Sequence, residues 1–207
     1  MVNLSQFFKK SPVPSERVGS LRVHMEEPLA VTKLSEFLAR FLEEGNFLNN
    51  KPVIFCIGTD RSTGDSLGPL TGMRLATLLR GSNIPVYGTL DEPVHATNLE
   101  EYVNLIKKNW TGHPVIAIDA CLGLAANVGT ILADDKPLRP GAGVHKVLPE
   151  VGDISFSGIV NVGGFMEFQV LQNTRLSLVY KMSHVIANSI FLGLHKLEAP
   201  GRQLQAK

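Results

Sequence analysis

The stretch Phe55-Cys56-Ile57-Gly58-Thr59-Asp60-Arg61-Ser62-Thr63-Gly64-Asp65-Ser66-Leu67-Gly68-Pro69-Leu70 decides the fold. An apolar run enters it, small polar residues and glycines fill it, and a helical pattern leaves it. That order reads as a strand, a tight loop and a helix start, with the Asp65 carboxylate near the turn. In an α/β sheet such a loop lies at the carboxyl end of a strand, where open sheets bind ligands. A second apolar run, Pro114-Val115-Ile116-Ala117-Ile118, ends in Asp119 in the same way. Being almost wholly apolar, it predicts a strand buried on both faces.

Working outward, the first strand covers 52–58 and its helix runs to about Gly81. Val86 to Leu90 reads as the next strand and delivers Asp91 and Glu92. Asn98 to Trp110 is an amphipathic helix, with Leu99, Tyr102, Val103 and Ile106 on one side. Two further strands are predicted at 128–132 and 154–162. Upstream, Leu34, Phe37, Leu38, Phe41 and Leu42 recur at helical spacing and Gly45 stops them. Residues 1–27 read as a leading arm with a short strand at 21–25. The C-terminal third is helical, with Leu176, Val179, Tyr180, Ser183, Ile186 and Ile190 as its inward stripe, and the tail over 200–207 frays. Alternating strands and helices predict one domain over 1–207, a three-layer α/β/α sandwich on a mostly parallel five-stranded sheet.

At 207 residues the chain is long enough to bury a proper core. Lys plus Arg number 20 against 19 Asp plus Glu, and no basic stripe appears, so nucleic acid is not an expected partner. The N-terminus lacks the layout of a signal peptide, and no run has the length to cross a bilayer. Cys56 and Cys121 both abut apolar strands and read as reduced thiols. The expectation is a soluble cytoplasmic protein without a membrane partner.

Each acid has an ordinary explanation when taken alone. Asp65 can cap the helix that follows it, and Asp119 can hydrogen-bond the loop after its strand. Together they matter if the strands over 52–58 and 114–118 are neighbours at a topological switch point, because both carboxylates then face one crevice. Two close carboxylates cannot both ionise freely, so one is pushed toward its protonated form and the pair shares a proton. Such a pair can activate water with one member and protonate a leaving amine with the other. Two carboxylates and an imidazole would also suit a divalent cation such as Zn²⁺ or Ni²⁺ with an open position. His145, in a loop beside glycines, is the imidazole the sequence offers, though a lone loop histidine is as often unconnected with a site.

The run Gly58 to Pro69, with Ile118-Asp119-Ala120 and Pro140-Gly141-Ala142-Gly143-Val144, resembles the YyaC-type sporulation proteins of endospore-forming bacteria. These are related to the germination protease of spores and, more distantly, to the peptidases that mature nickel-iron hydrogenase. The resemblance covers roughly Lys51 to Phe165. It implies a phosphorylase/hydrolase-like fold with the site at the carboxyl ends of the two strands, and a protein or peptide substrate. It also implies that Asp65 and Asp119 are the two acidic site residues. His145 departs from the germination protease and is similar instead to a metal-contacting histidine of the hydrogenase peptidases. The resemblance thus makes Asp65, Asp119 and His145 the candidate catalytic and metal-holding set. The function expected is a sporulation-associated peptidase; the alternative is a non-catalytic factor, or a metal-recognising processing protein, that keeps the fold.

Asp60, Asp91, Glu92 and His95, with the backbone at Gly64 and Gly143, are the candidate substrate contacts. Solvated loops explain the acids equally well, and Asp60 can instead pair with Arg61. The spacing Gly58, Gly64, Gly68 matches no phosphate-binding pattern and no Lys follows it, so the glycines read as permitting tight turns and close backbone approach. Cys121, two residues after Asp119, could be a nucleophile partnered by His145, but a Cys beside a strand is more often small buried filler.

Overall fold

The computed structural model describes residues 18–48, 50–141 and 148–198. Within them a six-stranded sheet has the order β1-β5-β6-β4-β2-β3. The strands are β1 (Ser20–His24), β2 (Val53–Cys56), β3 (Val86–Tyr87), β4 (Val115–Gly123), β5 (Thr130–Asp134) and β6 (Ile154–Val162). β3, β2, β4 and β6 pair in parallel, whereas β5 lies antiparallel to β6 and to β1. The sheet is therefore mixed. It has six strands rather than five because the short 21–25 strand joins it as an edge, with Val23 buried.

Every residue of β2 is buried, as a central strand between two helical layers requires. Side-chain alternation divides the core accordingly. Ile54, Cys56, Ile116, Ile118, Ile154 and Phe156 face one layer, formed by α1 (Ala30–Glu44), α2 (Leu67–Leu78) and α5 (Leu176–Glu198). Val53, Phe55, Ile57 and Ala117 face the other, where α3 (Leu99–Asn109) inserts Leu99, Val103 and Ile106. Leu138 and Val151 complete that second layer. The three-layer α/β/α class is thus realised, with one face heavier than the other.

Three expectations are corrected. The strand at 114–118 continues to Gly123, because β6 goes on pairing with it after β2 has ended; Asp119 sits opposite Ser157 and is not strand-terminal. The strand at 86–90 is cut to two residues, since Gly88 turns with φ 85° tightly against the end of β2. On α5, Leu176 and Tyr180 face solvent, and Met182 joins Val179, Ser183, Ile186 and Ile190 in the core.

Candidate active site

The loop after β2 is wound onto the strand it leaves. Ile57 N–H donates to the Ile118 carbonyl at 2.7 Å, and Gly58 N–H to the Val94 carbonyl at 2.7 Å. The chain then turns, and Thr59 N–H donates to the Asp65 carbonyl at 3.2 Å. This closeness explains two glycines. Gly58 has φ 144°, and a Cβ there would run into the Asp65 carbonyl; one at Gly68 would run into the Ile57 carbonyl. Asp65 stands in a single 3₁₀ turn, Gly64–Ser66, that leads directly into α2.

Neither that turn nor α2 carries a side-chain cap, so the Asp65 carboxylate is not used up in capping. β2 and β4 are parallel neighbours, and β3 and β4 flank β2, the arrangement of a switch point. Asp65 and Asp119 line one cavity of about 170 Å³. His95 is a further polar wall, and Ile57, Ala120, Leu148 and Phe168 are among the apolar ones. A shallower groove of about 530 Å³ adjoins it, sharing Thr59, His95 and Ala96 and adding Asp60, Arg61 and Asp91.

Burial raises both acids above the ordinary carboxylate range. For Asp65 desolvation is opposed by Ser62, whose hydroxyl oxygen is buried with no hydrogen bond of good geometry but approaches the carboxylate. For Asp119 desolvation dominates and pushes it well above the usual value. One Asp119 oxygen accepts the Ala120 N–H at 2.8 Å, which opposes the rise, while the negative charge of Asp65 adds to it. The residue is only half-buried in area, but what exposure it has is into the cavity. The negative charge of Asp65 bears on Asp119, and Asp119 is the more strongly raised of the two acids.

Comparison with known proteins places the chain. A family model described as protein of unknown function (DUF1256) matches residues 22–189. The chain belongs to that family. It is 56% identical over 140 residues to the "Uncharacterized protein YyaC" of Bacillus subtilis (strain 168), a match spanning 68% of each chain. The resemblance to YyaC-type proteins is therefore borne out. Among solved structures it is similar to the NiFe hydrogenase maturation protease HycI from Thermococcus kodakarensis KOD1. That likeness has 17% identity and a TM-score of 0.43, covering 68% of this chain and 92% of that one.

The remaining candidates of this DUF1256 chain separate clearly. Asp60 and Asp91 line the shallower groove, and His95 lines both. Glu92 is exposed and lines neither; its N–H donates to Thr89 Oγ1 at 3.2 Å. Gly64 is buried beneath Leu171 of α4 (Glu167–Gln172) and also lines neither. Gly143 and His145 lie outside the described residues. Burial and the Asp119 charge push the Cys121 thiol up to about 12, which removes it as a nucleophile at neutral pH. Cys56 is buried and its thiol is raised further.

The metal question turns on the donor set. Among the described residues no three His, Cys, Asp or Glu side chains gather closely enough to hold a cation. The acid pair supplies two hard donors, and a third is not present within these residues. The described set does not fit a bound Zn²⁺ or Ni²⁺ by itself. Among the described residues no helix is long and apolar enough to cross a membrane.

Two site features escaped the sequence. Phe168, which is 57% exposed yet walls the cavity, gave no signal because its turn is far along the chain. The burial of Ser62 against the Asp65 loop depends on a turn geometry that composition does not encode.

Proposed function

We propose that this chain is a peptidase-type hydrolase of sporulating cells that acts through Asp65 and Asp119. One observation carries the reading: two carboxylates from different elements line one largely apolar cavity and both are raised above their ordinary range. A cap or a loop brace has no use for a second, coupled acid. In the mechanism Asp119, the more strongly raised acid, holds the proton, and Asp65 is the ionised partner. Water between them loses a proton to Asp65 as it adds to the peptide carbonyl. The protonated carboxyl then delivers a proton to the departing amine, so one proton circulates per turnover. The apolar walls strengthen each of these interactions by excluding bulk water.

A second reading has its own observation. Phe165 and Met166 are exposed just ahead of Phe168, and an apolar rim of that kind also serves a protein that only binds its partner in the crevice. Incubation of the purified protein with small acid-soluble spore proteins, the substrate class that the resemblance to the germination protease suggests, separates the two. Cleavage is expected, and Asp65→Asn and Asp119→Asn should each lower it by about 10²–10⁴-fold. Equal behaviour of wild type and both variants would remove the acid pair from any catalytic role. Repeating the assay with a chelator and with added Zn²⁺ or Ni²⁺ tests metal dependence directly.

A further inference from the structure

The acid pair accounts for one side of the cavity; His95 stands on the other. It follows Val94, whose carbonyl takes the Gly58 N–H and which bridges Ile57 in parallel register. Asp119 follows Ile118, whose carbonyl takes the Ile57 N–H from the opposite side. His95 and Asp119 therefore flank the Ile57–Gly58 backbone, two strand spacings or roughly 10 Å apart. Both residues line the same cavity, so a substrate seated there would meet the acid pair and the histidine together.

The histidine is held from several directions. Its N–H donates to Asn98 Oδ1 at 2.8 Å, and its carbonyl accepts the N–H groups of Asn98 at 3.1 Å and Leu99 at 2.9 Å. These backbone bonds start α3 and do not need the ring. The ring is fixed separately: Nδ1 lies 2.8 Å from Thr97 Oγ1. Nε2 has no protein partner among the described residues, and the residue lines both the acid cavity and the adjoining groove. A ring that is oriented at one nitrogen and open at the other, beside a candidate reaction centre, is built to touch a substrate.

We propose that His95 is a catalytic residue of this site: with Thr97 donating to Nδ1, its Nε2–H donates to the scissile carbonyl oxygen and stabilises the oxyanion. This rests on the acid-pair reading above. As water adds, the new C–O bond forms, the carbonyl π pair moves onto oxygen, and the water proton passes to the ionised carboxylate. His95 keeps its proton throughout. The oxygen pair then returns, the C–N bond breaks, and the protonated carboxyl supplies the amine nitrogen.

The test has two independent parts on the full chain. Long-range ¹H–¹⁵N NMR of the ring reads the tautomer: the proton is expected on Nε2, and Thr97→Val should shift it toward a mixture. A ring protonated on Nδ1 in the wild type overturns the proposal. Steady-state cleavage of a quenched fluorogenic peptide library supplies the second part. His95→Ala should lower kcat by about 10²–10³-fold with little change in KM, as loss of an oxyanion donor does. His95→Gln, which keeps an N–H donor, should recover about tenfold of that loss. A His95→Ala enzyme with wild-type kcat, or with its loss confined to KM, sinks the proposal. Full activity in Asp119→Asn sinks the acid-pair reading instead. If the wild type cleaves nothing, the library is titrated into ¹⁵N-labelled protein, and an unmoved Nε2 resonance also rejects His95 as a substrate contact.

Discussion

At Asp119 burial and a neighbouring negative charge push the same way, and the consequence for stability has a definite sign. The folded state holds this proton more tightly than the unfolded chain, so between the two pKa values the native protein binds more protons. Stability therefore falls as pH rises from the ordinary carboxylate range through the raised folded value. Asp119→Asn has no proton to lose. It should match the wild type in acid and exceed it at neutral pH, as read from urea midpoints at both; a neutral-pH loss would show that the carboxylate braces the fold. Asp65→Asn should move in the same direction, less strongly, since Ser62 already favours its ionised form. Stability gained where activity is lost is the pattern expected of strained functional acids. Both residues are legible because each follows an apolar run, Asp119 directly and Asp65 in the glycine loop that leads into α2. Their convergence is not, because it depends on Gly58 and Gly68 letting the loop close onto β2. His95 is harder still: its position follows from one bridge, Ile57 to Val94, across a segment without a strand pattern.

The short helix α4 is what holds the Asp65 turn from outside. Leu171 is 1% exposed and lies directly over Gly64, while Asn161 Nδ2 ties β6 to the Val170 carbonyl at 3.2 Å and to Thr174 Oγ1 at 3.1 Å. Leu171→Ala should cost about 2–5 kcal/mol, as deletion of a buried leucine does. It should also loosen the 62–66 turn, so that any cleavage activity falls beyond what the stability loss explains at permissive temperature. Urea melts paired with activity at low denaturant check this; an unchanged midpoint would mean that α4 is a passive cover. At this scale the helices are plain in the sequence, since α1 and α3 show clean 3.6-residue patterns ended by Gly45 and Trp110. Strand ends are less plain. Polar Asp119 ends the apolar run of β4, but backbone pairing with β6 carries the strand four residues further, and pairing leaves no mark on local hydropathy.

Over the whole molecule the sheet is finished by a strand that the sequence assigns to a leading arm. β1 has five residues, weak alternation and only Val23 fully buried, so nothing in its own composition demands a place in the sheet. What it supplies is closure. Along its length it pairs with β5 from Ser20 opposite Asp134 to His24 opposite Thr130, and Gly19 N–H extends the junction by donating to Asp135 Oδ2 at 2.7 Å. It also lays Val23 into the core that α1 and α5 share. Deleting residues 1–27 would strip the outer hydrogen bonds of β5 and leave an unpaired edge of the kind that recruits other chains. Loss of the Val23 burial alone is worth about 1.5–3 kcal/mol, which for a chain of this size lowers the thermal midpoint by roughly 3–12 °C. The truncated protein should melt at least that much lower and show concentration-dependent aggregation by light scattering. Val23→Asp in the full chain should reproduce the thermal loss while keeping the β5 edge largely covered, which separates core burial from edge protection. A truncation that melts with the wild type would return these residues to the arm and leave β5 as the true edge of a five-stranded sheet.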